Sequence, residues 1–265
     1  MKRQKAQVIR EYGPYPDTPK VNGVTFDGAR IWFAAGDALK TIDPESGELT
    51  GALPLAAHAG TAFDGTYLYQ IAENRIHKID PDSGAVVASI PAPGDGTDSG
   101  MAWAEGSLWV GEYRGRRIHQ IDPNTGALLR TIRSDRFVTG VTWVDGELWH
   151  GTWEGDESDV RRIDPRTGEV LERLEMPPGV GVSGLESDGA DRFFCGGGKG
   201  GKVRAVRRPR PSSDDVAGAQ VGNRARVVAE RGQHLVGVGA ERRRHAVEPA
   251  AAMGELKAAA GKAQA

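Results

Sequence analysis

One cysteine, Cys195, is all this chain of 265 residues contains, so no intramolecular disulfide framework can staple it. No apolar run approaches the length a bilayer-crossing helix needs. The basic residues of the opening "MKRQKAQVIREYG" are not followed by an apolar segment, so no signal peptide is read there. A reducing, soluble, cytoplasmic setting is expected. With a formal net charge of −2 the chain has no basic field to draw in nucleic acid or an anionic membrane, and neither is expected as a partner.

Aromatic residues are missing from the whole C-terminal stretch. The six tryptophans, five tyrosines and six phenylalanines all lie at or before Phe194. Beyond Arg210 the composition turns to Ala, Arg, Gly and Val, with nine Lys/Arg against six Asp/Glu from Pro209 to Ala265. "AAAMGELKAAAGKAQA" favours helix by propensity, but a helix with no face to bury is marginal in water. Two regions are therefore expected: a folded body over 1–211 and a low-complexity, disordered tail over 212–265.

What the body does have is a repeat. "IDPESG" starts at Ile42, "IDPDSG" at Ile79, "IDPNTG" at Ile121 and "IDPRTG" at Ile163, at spacings of 37, 42 and 42 residues. Half a repeat earlier come "GVTFDGARIW", "GTAFDGTYLY", "GMAWAEGSLW" and "GVTWVDGELW", with a degenerate fifth copy, "GLESDGADRFF", from Gly184. A period of about 40 residues is the signature of a solenoid or propeller. Each unit reads as four short strands, two of them joined at D-P-x-[ST]-G, where Pro presets φ and Gly accepts a positive one. The expected fold is all-β, a five-bladed β-propeller of four-stranded blades. The fifth blade lacks a fourth strand, and the spare N-terminal "AQVIREY" can supply it and close the ring near residues 6–12 and 202–208.

In such a fold the regular turns share one face, and the variable loops share the other with the blade-to-blade connections. Binding residues tend to sit on loops held by a rigid scaffold, so the variable face is the expected functional face. Two rings of positions are expected at its channel mouth. One is Asn22, Ala59, Ser99, Thr139 and Ser183, with His58 and Asp98 one residue earlier. The other, at the ends of the second strands, is Phe33, Gln70, Val110, His150 and Cys195. Glu112 and Trp153 follow just beyond.

The candidate acid/base groups are His150, whose imidazole titrates near neutrality, and Glu112. Their structural alternatives are a strand-end histidine bonded to the next blade and a carboxylate paired with Arg114, Arg116 or Arg117. Asn22, Gln70, Ser99, Trp153 and Lys199 are the candidate ligand contacts, with Tyr113 as a possible wall. His77 and His119 occupy equivalent third-strand places and read as scaffold. "EGDESD", Glu154 to Asp159, lacks the spacing of a calcium loop. "GGGKGGKV" lacks the Ser/Thr and the following helix of a phosphate-binding loop.

The body resembles the propeller-type glutamine cyclotransferases, the plant and bacterial glutaminyl cyclases. The residues that carry the likeness are "TGVTWVDGELWHGTW" and the following "VRRIDPRTGEVLERLEM". In that family a similar W-x-x-G-x-L-x-x-x-x-W run leads into an I-D-P-x-[ST]-G-K-V turn. The likeness spans roughly residues 7–208, and its motifs are shared in part with streptogramin-lyase-like and gluconolactonase-like propellers. It implies five blades and cyclisation of an N-terminal Gln with release of ammonia, without metal or cofactor. Gln70 matches a glutamine of the family, and Lys199 approximates a lysine of its fifth blade. Two departures matter. "VNG", Val21 to Gly23, stands where the family has T-[QE]-G, and Phe33 stands where it has its catalytic glutamate. An active enzyme would then need Glu112 or His150 as the substitute.

Three readings remain open from the sequence. One is a cyclotransferase acting on peptide N-termini. Another is a non-catalytic propeller that binds a small ligand or partner protein on the same face, since fold alone does not fix function. The third is a lyase or lactonase using a channel metal, for which His58, Asp98, Glu112 and His150 would have to converge.

Overall fold

The structure is a computed structural model that describes residues 1–197 and 200–209. The chain divides into a unit Met1–Arg210 and a unit Pro211–Ala265. The expected tail, 212–265, and the candidate Lys199 lie outside the described residues.

The repeat becomes five blades. Two N-terminal strands, Lys2–Lys5 (β1) and Val8–Tyr12 (β2), precede them. Blade one is Val24–Phe26 (β3), Ile31–Ala34 (β4), Leu39–Ile42 (β5) and Leu49–Leu53 (β6). Blade two is Thr61–Phe63 (β7), Leu68–Ala72 (β8), Arg75–Ile79 (β9) and Val86–Pro91 (β10). Blade three is Asp98–Ala104 (β11), Ser107–Glu112 (β12), Arg117–Ile121 (β13) and Leu128–Arg133 (β14). Blade four is Val138–Val144 (β15), Glu147–Glu154 (β16), Glu157–Ile163 (β17) and Val170–Glu175 (β18). Blade five is Leu185–Ser187 (β19), Arg192–Gly196 (β20) and Val203–Arg207 (β21), completed by β2 from the N-terminus. The closure read from the sequence is the one the fold uses. No helix occurs among the described residues.

The repeated motif folds as local chemistry dictates. In each D-P-x-[ST]-G turn the aspartate Oδ1 accepts the backbone N–H groups two and three residues on, as Asp122 does from Asn124 (2.9 Å) and Thr125 (2.8 Å). The closing glycine donates its N–H to the aspartate carbonyl and takes a positive φ, 76° at Gly126. Between blades, an aromatic at the centre of one second strand packs on an aromatic of the next blade. Tyr69 stacks on Trp103 at 5.6 Å, Trp109 on Trp143 at 5.4 Å, and Trp149 packs on Phe193 at 5.1 Å. Blade five closes on blade one through Phe194 and Phe26 at 5.5 Å.

β1 has a role the sequence did not announce. It adds a fifth strand, parallel to β18, at the outer edge of blade four. Its lysines meet the glutamates of that edge, Lys5 with Glu175 at 2.6 Å and Lys2 with Glu172 at 3.4 Å.

Candidate functional site

The innermost strands converge on a ring of glycines. A methyl group placed on Gly60 would lie 2.6 Å from the carbonyl carbon of Gly100, and one on Gly100 2.6 Å from that of Gly140. One on Gly140 would lie 2.8 Å from Gly184, and one on Gly184 2.7 Å from Gly23. Only glycine permits this approach, so the G that opens every blade is a packing requirement around the axis.

Directly before these glycines stand Asn22, Ala59, Ser99, Thr139 and Ser183, and all five line one cavity of about 570 Å³. His58, Asp98, Tyr113, Arg114 and Trp153 join the lining. The first of the two expected rings is therefore the floor of a cavity of the size that takes a small ligand.

The second expected ring is not at the mouth. Phe33, Gln70, Val110, His150 and Cys195 occupy equivalent register positions, opposite Val24, Thr61, Met101, Val141 and Leu185. All five are buried. A strand's side chains alternate between its two faces, and in a radial blade those faces pack on the neighbouring blades. His150 shares its face with Leu148 and Val141, which pack in the blade three–four interface. Burial pushes its imidazole down to about 4, and its Nδ1 lies 3.1 Å from the Gly151 carbonyl. A neutral histidine sealed between blades cannot reach a ligand in the cavity. Gln70 is likewise enclosed: its amide donates to the Ala59 and Ile71 carbonyls, and its oxygen accepts from Thr61 at 2.6 Å. Phe33 stacks on Tyr15 at 5.3 Å. Burial drives the Cys195 thiol up to about 12.

Glu112 stands behind the cavity rather than in its lining. Its Oε2 lies 3.0 Å from His119 Nε2 and 3.5 Å from Arg117 Nη1. His119 also reaches Thr131 at 2.9 Å. Glu112 is nonetheless the cross-strand partner of Asp98, which does line the cavity. Asp98 Oδ1 accepts the Gly94 N–H at 2.9 Å, and Oδ2 has no hydrogen-bond partner among the described residues. Burial is the largest influence on Asp98 and, with the Glu112 charge adding to it, pushes the carboxyl up to about 6. The sequence put Asp98 beside the ring but did not single it out. The signal available in the sequence was a carboxylate two residues before the glycine that opens the blade, where the other blades carry Val21, His58, Val138 and Val182.

The remaining candidates sort by their hydrogen bonds. Ser99 lines the cavity, and its single O–H is shared between Val138 O (2.8 Å) and Gly111 O (3.0 Å), tying blade three to blade four. Only its lone pairs stay free for a ligand. Asn22 lines the cavity with a side-chain amide that makes no hydrogen bond among the described residues. Trp153 forms a wall, its indole N–H spent on Gly155 O at 3.1 Å.

A second half-buried carboxyl lies off the cavity. Glu186 accepts hydroxyls from Thr142 of blade four (2.5 Å) and Thr25 of blade one (2.9 Å), and the Ser187 N–H at 2.8 Å. It thus joins three blades around the axis. Burial pushes it up to about 7. Among the described residues no three His, Cys, Asp or Glu side chains form a group able to hold a metal ion. His58, Asp98, Glu112 and His150 do not converge, since His150 faces away between blades.

A family model described as outer membrane protein assembly factor BamB matches residues 72–236. The chain belongs to this family. No curated protein matches the chain. Among solved structures, the glutaminyl cyclase of Myxococcus xanthus superposes with a TM-score of 0.65 at 21% identity, over 78% of this chain and 97% of that one. A chain of the mitotic checkpoint complex superposes with a TM-score of 0.50 at 11% identity, over 77% of this chain and 92% of that one. At these identities the likeness is one of fold. This BamB-family chain shares the propeller architecture of a glutaminyl cyclase. It has no helix among the described residues long and apolar enough to cross a membrane.

Proposed function

We propose that the cavity over the glycine ring is a glutamine-cyclotransferase site in which Asp98, rather than Glu112 or His150, is the acid/base. The observation that carries this reading is a half-buried carboxyl in the lining of the cavity, pushed to about 6, whose buried Oδ2 has no hydrogen-bond partner among the described residues. A base of that strength is ionised at neutrality and can exchange a proton with an amine.

The reaction follows from these positions. The ionised Asp98 takes a proton from the N-terminal ammonium, with the Ser99 lone pairs helping to orient it. The freed amine attacks the side-chain amide carbon, closing a five-membered ring and leaving a tetrahedral oxyanion. The Asn22 amide can donate to that oxygen. Asp98 returns its proton to the departing nitrogen and, ionised again, takes the second proton from the ring nitrogen; the C–N bond breaks as the carbonyl re-forms, the last proton passes to the released ammonia, and pyroglutamyl peptide and ammonium leave. Trp153 and Tyr113 wall the site. The glutamate that the family has at the Phe33 position is not needed in this scheme.

The test is mass spectrometry of a Gln-initiated peptide incubated with the full chain and with Asp98→Asn. Enzyme-dependent loss of ammonia, abolished in the variant, is expected. Its rate should rise with pH through about 6 as Asp98 ionises. Glu112→Gln should move that limb to lower pH, because the Glu112 charge helps to hold Asp98 up. No ammonia above the uncatalysed background refutes the reading.

A second reading, a propeller that binds a partner protein, draws on two observations. The family is described as an assembly factor. The outer strands of blades two and three expose Val86, Val87, Leu128 and Leu129, at 52–59% each. Val87→Glu with Leu129→Glu should then weaken partner binding without touching the cavity.

A further inference from the structure

Arg114 is the odd arginine of this face. It sits at the turn between β12 and β13, and its neighbours are all paired: Arg116 with Glu154 at 3.0 Å, Arg117 with Glu112 at 3.5 Å, and Arg136 with Glu157 at 3.2 Å. Arg114 makes no ion pair and no hydrogen bond among the described residues, yet it lines the cavity.

The turn that carries it is fixed. The Tyr113 N–H donates to Thr97 O at 2.9 Å, and the Arg116 carbonyl accepts the Ser134 N–H at 2.8 Å. The Tyr113 ring packs on Phe137 at 4.6 Å. The backbone of Arg114 is thus held on both sides while its guanidinium is left uncommitted. Asp98 lines the same cavity, so one lining carries both a carboxylate and an exposed cation without a partner among the described residues. A guanidinium has five donors and no acceptor, and its planar fork matches a carboxylate.

We infer that Arg114 is the specificity-determining residue of this cavity, holding a carboxylate of a ligand whose amine lies toward Asp98. This deepens the cyclotransferase reading and rests on it for the amine. The substrate class is a short peptide with a carboxylate close to its N-terminus, either an acidic side chain at the second position or the α-carboxylate of a dipeptide. The cavity's volume favours such small ligands over the middle of a long chain.

The experiment is calorimetric titration of the full chain with peptide amides that begin with methionine, which has about the length of glutamine but cannot cyclise. One carries glutamate at the second position and the other lysine. The glutamate peptide is expected to bind about fivefold more tightly at low ionic strength, with the difference shrinking in salt, as for a solvent-facing ion pair. Arg114→Ala should erase the preference and Arg114→Lys should keep part of it. Both variants should melt with the wild type, because Arg114 is exposed and makes no ion pair or hydrogen bond among the described residues. A methionine-initiated dipeptide with a free or an amidated C-terminus separates the α-carboxylate from the side chain.

Equal affinity for the two peptides, a preference that survives Arg114→Ala, or no binding of either at millimolar concentration overturns the inference. The matching Gln-initiated peptides keep the two ideas apart. Ammonia release at equal rates from both, with equal binding, sinks the role of Arg114 and leaves the cyclotransferase standing. A carboxylate preference without any ammonia does the reverse.

Discussion

Replacing Glu186 by glutamine should stabilise the propeller, and by an amount that depends on pH. Glu186 is half-buried, and desolvation of its carboxyl holds it near 7 against an ordinary value of 4.5. No charged side chain contributes to the shift; three hydrogen bonds, from Thr142, Ser187 and Thr25, oppose it. Because the folded value is raised, the folded state binds the proton more tightly than the unfolded chain. Stability from this group is whole below about 4.5, falls as pH rises toward about 7, and is lost above it. A gap of about 2.5 pH units corresponds to roughly 3 kcal/mol at 1.36 kcal/mol per unit. Glutamine cannot ionise, and it resembles the protonated acid in shape. Its amide oxygen can still accept from one threonine, and its NH₂ can donate to the hydroxyl oxygen of the other. The variant should therefore match the wild type near pH 4 and exceed it by up to about 3 kcal/mol at pH 8.5, or roughly 6–12 °C in Tm. His150 titrates in the opposite sense: its folded value near 4 lies below the ordinary 6.5, so its contribution is present above 6.5 and lost as pH falls. That term is common to both proteins and cancels in the difference. Urea unfolding of wild type and Glu186→Gln between pH 4 and 8.5 supplies the measurement. A difference that stays constant within about 0.5 kcal/mol across this range would show that Glu186 is ionised, or solvated, in the folded protein, and the argument would fail.

Other perturbations test the scaffold. Gly140→Ala places a methyl group 2.6 Å from the Leu185 backbone nitrogen, so it should cost about 1–3 kcal/mol or more, read by thermal melting. Asp159→Ala strips the buried partner from Arg161 (2.8 Å) and Arg173 (2.5 Å), and should cost about 3–5 kcal/mol by urea titration. The Cys195 thiol, buried and pushed to about 12, should resist a thiol-titrating reagent until denaturant is added; rapid native labelling would contradict its placement.

What could be read from the sequence was what is local. The D-P-x-[ST]-G turn makes its own hydrogen bonds within a few residues, so its four copies give the blade period, and counting strands gives the closure by β2. The ring of Phe33, Gln70, Val110, His150 and Cys195 was misplaced for a physical reason. Spacing fixes which residues are equivalent, but both faces of a radial blade pack on neighbouring blades, so a position before the strand's end is enclosed whichever face it takes. Three of the five are apolar, which was the available hint that the ring is buried. Polar residues at such positions, Gln70 and His150, look functional in isolation and prove to be enclosed. Glu186 was hidden altogether. Its partners Thr142 and Thr25 lie 44 and 161 residues away, and nothing next to it distinguishes it from a solvated glutamate. Asp98 and Arg114, sixteen residues apart in blade three, were named in the sequence without being linked to each other, because their shared cavity also needs Asn22 from before blade one and Ser183 from before blade five. A propeller builds its floor from one residue per blade. The chemistry of that floor belongs to the closed ring and to no single repeat, so a reading taken one repeat at a time finds the positions but cannot weigh them.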